Sequence, residues 1–391
     1  MSRNADAFDD WIRTRFVDFN TTLENLYFAR IDRADVVGVG DDVKAALAEE
    51  GRGYVRALML EGNTDEGFDR AFDMLGNLGL YMAALRRHEL TNPAREDRSP
   101  LAEASALGLH VGAALGVAPR FATSHLATHN KAVDGRPKCF TALADEALFL
   151  DENTRGIFAY KRAADALMRI SPLGVSHAVA ATLFEDARAA LEDVAAINRR
   201  LFETLDQERF FFSVRPYYKT YRVGRQEYRG ANAGDFSGIN EIDLLLGLCR
   251  ANDPYYSQLL VDKMLFMRPE DQASLRDCMR RGNFLDAFLE AAPTSASAPW
   301  FRTNAAAFLE VCAAHGRAAA LHHDQLVARF IVAPAGEIDP RHLAQITASG
   351  PALEALIGAL AKLRDLRLAA DTPGIGSRHA DLARLRAVLA A

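Results

Sequence analysis

Paired cysteines are missing from this sequence: Cys139, Cys249, Cys278 and Cys312 stand far apart, and no Cys-x-x-Cys occurs. That excludes a zinc knuckle, a redox dithiol and the covalent attachment of a c-type haem, and it leaves four thiols expected to be reduced and mostly buried. Also missing is any run of about 18 apolar residues, the minimum for a membrane helix. The opening MSRNADAFDDWIRTRF has neither the apolar stretch nor the small-residue cleavage site of a secretion signal. A cytoplasmic protein with no membrane partner is expected. Positive charge is in deficit: 46 Lys and Arg face 52 Asp and Glu, a formal net charge of -6. Nucleic acid is therefore not an expected partner, because phosphate backbones are gripped by gathered Lys and Arg.

What the chain does have is apolar material, 49% of 391 residues, enough for a sizeable core. Its spacing is helical nearly everywhere. Apolar residues recur at i, i+3 and i+4 over Trp11 to Arg30, Phe68 to Arg87, Ile157 to Met168, Val179 to Leu205, Ile242 to Leu248 and Ala305 to Ile331. Strand-like alternation is nearly absent, so the predicted fold class is all-α. Turn residues cluster at LTNPAREDRSP (90 to 100), DGRPK (134 to 138), YRVGRQEYRGANAGD (221 to 235) and APTSASAP (292 to 299). The break at DGRPK suggests an N-terminal helical part over 1–135 and a larger helical domain over 136–391. The long, Tyr- and Arg-rich loop at 221 to 235 has the composition of a functional segment.

One helix carries three histidines. NAAAFLEVCAAHGRAAALHHDQLVARFI, from Asn304, has no breaker except Gly316. Helical spacing puts His323 on a face with Ala319, Ala320, Leu326, Val327 and Phe330, whereas His322 shares its face with His315, Ala318, Gln325 and Arg329. His323 is then the histidine aimed at the core. A core histidine satisfied by hydrogen bonds and an axial haem ligand both fit that position, because neutral imidazole offers one nitrogen to iron and the other to an orienting partner. Zinc is a third reading: His125 and His129 have i, i+4 spacing, without an HExxH glutamate or an obvious third ligand.

HHDQLVARFIVAPAG, from His322, is similar to the proximal-histidine helix of the indoleamine and tryptophan 2,3-dioxygenases. Leu326 and Val327 follow the ligand histidine, then basic Arg329, β-branched Ile331 and the Pro334-Ala335 pair. In that register His323 is the implied metal ligand and Arg329 a cofactor-side residue. FFFSVRPYY, from Phe210, resembles the distal segment of the same group. The resemblance places Phe210 and Phe211 against haem and substrate, and Arg215 on the substrate carboxylate, a role suited to its planar fork. AGDFSGINEIDLLLG, from Ala233, resembles a small-residue loop beside the haem and implies Ser237 and Gly238 as pocket lining. GIGS, from Gly374, resembles a loop that closes over substrate, with Gly376 and Ser377 as contacts. DEALFLDENTRGIF (145 to 158) resembles the segment supplying a distal hydroxyl, which falls near Thr154.

A second resemblance runs through RPYYKTYRVGRQEYRG (215 to 230), LADEALFL (143 to 150) and LGLYMAALRRH (78 to 88), which together look like the monodechloroaminopyrrolnitrin synthase family. Ile331 departs from it, standing where that family has a pocket tyrosine. The two resemblances imply a haem-binding domain over 136–391 with non-covalent haem b. They imply an oxidoreductase in which ferrous haem takes dioxygen and Arg215 orients tryptophan or a related indole or aromatic amino acid. Alternatives are a pyrrolnitrin-type oxidative ring rearrangement of a modified tryptophan in secondary metabolism, or a haem-binding protein without oxygenase turnover. A helical scaffold protein with purely structural histidines and a homo-oligomer also stay open.

Overall fold

The computed structural model describes residues 2–62, 67–231, 234–325 and 353–391, with 353–356 lacking described side chains. Helix dominates, as the periodicity predicts. Two compact units are formed. The first takes the chain up to Asp151 and the stretch Leu205–Asp235; the second takes Glu152–Thr204, the run beginning at Phe236, and Ile357–Ala391. The expected boundary at 135 and 136 falls inside the first unit.

The first unit opens with α1 (Arg3–Arg13), α2 (Arg15–Phe28), α3 (Asp41–Glu61), α4 (Phe68–Arg87) and α5 (Ala102–Leu115). Ser2 caps α1 by accepting from the Ala5 amide at 3.1 Å. The continuous helix expected over Trp11 to Arg30 is broken at Thr14, whose φ of -126° and ψ of -96° leave the helical region without any Gly or Pro to announce it. Trp11, Phe8 and Phe16 are buried from α1 and α2. In α4, Gly76 and Gly79 let the 121–125 segment approach closely: a Cβ at Gly79 would meet the Phe121 backbone, and one at Gly76 the His125 ring.

His125 sits in a short 3₁₀ turn, Thr123–His125, not on a helix with His129. Its Nε2 donates to the Phe72 carbonyl at 2.8 Å. The zinc reading therefore falls, and no cluster of three metal-binding side chains occurs among the described residues. The loop expected at 221 to 235 contains a small antiparallel hairpin, β1 (Tyr221–Val223) and β2 (Gln226–Tyr228). Its two-residue turn uses Gly224 at a φ of 60°. Strands of three residues are too short for alternation to register in the sequence.

After α6 (Ala144–Leu173), the second unit contains α7 (Ala180–Thr204), α8 (Ser237–Leu246), α9 (Pro254–Met264), α10 (Pro269–Cys278), α11 (Phe284–Ser295), α12 (Pro299–Leu321), α13 (Leu353–Arg367) and α14 (His379–Ala390). α7 and α12 make the most extensive helix pairing. Phe184 of α7 anchors that core, with Phe284, Phe308 and Phe288 rings at 5.6, 5.7 and 6.2 Å. No described helix is long and apolar enough to cross a membrane.

Candidate functional site

In the first unit, Phe210, Phe211 and Arg215 lie on one irregular turn. Asp206 starts it by accepting from the Arg209 amide at 2.8 Å. Phe210–Val214 then widens into a π turn, closed by the Arg215 amide on the Phe210 carbonyl, and Arg215–Tyr218 tightens into a 3₁₀ turn. Pro216 explains part of this irregularity. It has no N–H for the preceding turn, and the Phe212 carbonyl is taken instead by the Arg87 guanidinium at 2.9 Å. Phe210 and Phe211 are buried, Phe210 against Phe149 at 4.9 Å between ring centroids. Arg215 is only 8% exposed. Its guanidinium carbon lies 5.3 Å from the Phe211 ring centroid, and burial pushes its pKa down to about 10.

In the second unit, the second π turn among the described residues spans 322–325, immediately after α12. Widened turns of this kind are frequent at functional sites because they re-aim side chains. The buried face of α12 runs through Phe308, Val311, Cys312, His315 and Ala318. Continued as α-helix, that face would next show His322. The extra residue of the π turn passes the inward position to His323, leaving His322 exposed. The sequence argument placed His323 on the core face and His315 opposite it; the structure buries His315, at 1% exposure, and brings His323 inward only through the π turn.

The two ring nitrogens of His323 have different surroundings. Its side chain is 16% exposed, and its Nδ1 lies 3.2 Å from the Asp324 carboxylate. Arg364 approaches the same nitrogen at 3.3 Å and is itself held by Asp365 at 2.7 Å. Asp324 and Arg364 make opposite demands on Nδ1: donating to the carboxylate leaves the lone pair on Nε2, whereas accepting from Arg364 leaves the proton there, and only the carboxylate-bound form frees Nε2 for iron. Nε2 is buried and has no hydrogen-bond partner among the described residues. A buried nitrogen acceptor without a donor is costly in a closed fold and suits coordination to iron. The donor set therefore fits haem.

The remaining expected residues are more committed. Ser237 and Gly238 form the first turn of α8, and the Ser237 hydroxyl donates to Asp271 at 3.2 Å beside the Lys161 ammonium on the same oxygen at 2.8 Å. A Cβ at Gly238 would press on the Phe236 ring at 3.0 Å. Thr154 is half-buried on α6. Gly374 and Gly376 take φ of 80° and 67°, which favour glycine. The Ser377 hydroxyl donates to the Ala370 carbonyl at 2.5 Å. Arg329 and Ile331 lie outside the described residues.

Sequence reasoning missed two clusters. Asp243, in the apolar run IDLLLG, is fully buried and receives His315 Nε2 at 2.7 Å, Tyr256 Oη at 2.7 Å and both Arg367 Nε and Nη2, the latter at 2.8 Å. A lone acid in such a run was the available signal. Lys219, at the end of the Arg215 turn, was the other. Between Glu208 and Glu227 the sequence holds five cations and no acid.

A search of curated proteins finds no match. The family model described as Monodechloroaminopyrrolnitrin synthase PrnB matches residues 2–389, nearly the entire chain, and the chain belongs to that family of haem-dependent enzymes.

Proposed function

We propose that this chain is a haem b oxygenase whose substrate is tryptophan or a related indole amino acid, with His323 Nε2 as the nitrogen that would hold the haem iron. The observation that carries the reading is the buried Nε2, which has no partner among the described residues, opposite an Nδ1 within reach of the Asp324 carboxylate. Bound haem supplies dioxygen-dependent oxidising chemistry. The chain supplies binding and orientation. Arg215 pairs with the substrate carboxylate, gaining most from a site where water does not compete for its fork. Phe210 and Phe211 wall the pocket and exclude water. In the second unit, Ser237, Gly238 and Thr154 are the residues that the resemblance assigns to the lining beside haem, Ser237 with its proton engaged by Asp271. Gly376 and Ser377 meet substrate through the loop they shape, and Arg329 lies on the cofactor side. Family membership favours oxidative rearrangement of a modified tryptophan as the outcome over simple ring opening.

The absorption spectrum of purified protein, with dithionite and then carbon monoxide, tests the reading. A haem spectrum that responds to both is expected, and His323→Ala abolishes haem retention while His322→Ala keeps it. A protein that stays colourless after addition of hemin refutes the proposal, and loss of haem in His322→Ala alone moves the ligand.

A further inference from the structure

In the second unit, α13 is pinned on both sides of Arg364. Ahead of it, the Tyr255 hydroxyl of α9 donates to the Ala359 carbonyl at 3.0 Å, and the Lys362 ammonium lies 4.0 Å from the centroid of the same ring. Behind it, Arg367 reaches the buried Asp243 of α8 through Nε at 2.9 Å and Nη2 at 2.8 Å. Asp243 also accepts from His315 Nε2 of α12 at 2.7 Å, so one carboxylate ties α13 to α12. Gly316, next to His315, lets the two helices close: a Cβ there would stand 3.0 Å from the Leu368 side chain and 3.2 Å from the Arg367 carbonyl. That close approach accounts for a glycine in an otherwise Ala-rich helix.

His323 meets what this packing delivers. Arg364 Nε is held by Asp365 at 2.7 Å, and Asp365 in turn accepts from the Thr372 hydroxyl at 3.2 Å. With that end fixed, the guanidinium extends Nη1 to 3.3 Å from His323 Nδ1 and 3.9 Å from the Asp324 carboxylate. Asp324 lies 3.2 Å from the same Nδ1. An imidazole that donates from one nitrogen to a carboxylate is a stronger donor at the other. A cation beside both that carboxylate and that nitrogen weakens the pull.

We infer that Arg364 is a positioning residue for His323: it restrains the hold of Asp324 on Nδ1, and the clamp of Gly316, Asp243 and Arg367 sets its reach. Because packed helices shift as units, the α12 to α13 separation is transmitted to the imidazole. The consequence for iron rests on the haem reading; the contact with the imidazole does not.

The test uses the full-length chain with isotope-labelled histidine, read by nitrogen NMR of the imidazole rings, with His323 assigned by the signals lost in His323→Gln. In Arg364→Met the Nδ1 signal is expected to move towards its protonated position, because Asp324 then acts alone, and Arg364→Lys to return part of the shift. Gly316→Ala, whose methyl group must displace its neighbours by a few tenths of an ångström, is expected to move the signal the same way and by less. Tyr256→Phe removes another donor from Asp243 and is expected to lower stability while leaving the His323 signals in place. With haem bound, the Arg364 and Gly316 variants should raise the ferrous iron–imidazole stretching frequency and lower the reduction potential in the same order. Unchanged ring signals in Arg364→Met overturn the inference whether or not haem binds. A shift in Arg364→Met with none in Gly316→Ala, or an equal shift in Tyr256→Phe, overturns the clamp. A chain that takes up no hemin yet shows the expected ring shifts keeps Arg364 as a positioning residue and loses the haem reading.

Discussion

Two buried arginines, one in each unit, are built in opposite ways. In the second unit, Arg367 closes on Asp243 through two nitrogens, and His315 and Tyr256 fill the rest of the carboxylate, which lies far below its usual pKa because of Arg367 and His315 despite its burial. In the first unit, Arg215 is withdrawn from water and no acid among the described residues pairs with it. The same chemistry, a guanidinium in a low-dielectric setting, serves structure where its partner is built in; the proposed function gives Arg215 the other use, binding a partner that must arrive.

The largest effect should come from breaking the balanced cluster. Asp243→Ala strands Arg367, His315 and the Tyr256 hydroxyl together, and removing one partner of a buried pair costs about 3–5 kcal/mol. Urea denaturation should show that loss, or the variant should fail to accumulate folded. Asp243→Leu combined with Arg367→Met should recover much of it, because an apolar pair carries no stranded charge. A stable Asp243→Ala single variant would show that the knot is not what holds α8, α12 and α13 together.

Acid should separate the units next. In the first unit, His88 is buried between Tyr27 and Asn20 and kept well below its usual pKa by burial, and His125 is pushed down to about 3 by burial. Between those lowered values and the ordinary 6.5, the unfolded chain binds protons that the folded chain refuses, so stability falls as pH drops below about 6.5. Glu146 opposes this. Burial raises it to about 7, so the fold takes up its proton before the unfolded chain does, and stability rises as pH falls from there towards 4.5. In the second unit, Asp243 has a depressed pKa. Its contribution is whole above 3.8 and is lost only as pH falls from there towards its folded value. Peptide-resolved hydrogen exchange at about pH 5 should therefore show protection falling in α4 and its neighbours while α8 and α12 hold. In Glu146→Gln the fall should be steeper. Equal loss in both units would contradict the histidine assignment.

How much of this was legible depends on what the sequence encodes locally. The all-helical class was, since apolar spacing repeats in nearly every segment, and α4 begins and ends at Phe68 and Arg87, the limits its periodicity predicts. The break at Thr14 was not, because it is made by backbone angles without a breaker residue. Among the histidines, face arithmetic assumes a constant turn, and the π turn at 322–325 changes the count where it matters. The Phe210–Arg215 segment was recognisable as a motif, but the burial of Arg215 is a property of packing that its acid-free sequence neighbourhood does not announce.

The smallest change in stability should accompany the most informative loss of binding. Arg215→Met removes a buried charge that no described residue neutralises, while the methionine side chain refills the space beside Phe211. Removing an uncompensated charge relieves its desolvation cost, so folding stability should lie within about 1 kcal/mol of wild type or above it. The sign is opposite to that of Asp243→Ala. The same variant should lose the spectral change produced by tryptophan, because the carboxylate then meets no guanidinium fork. A stability loss of the Asp243 size, read by the same urea titration, would mean that Arg215 has a structural partner and belongs with Arg367. Preserved stability with preserved tryptophan binding would remove Arg215 from the carboxylate site and leave its burial without a purpose in binding.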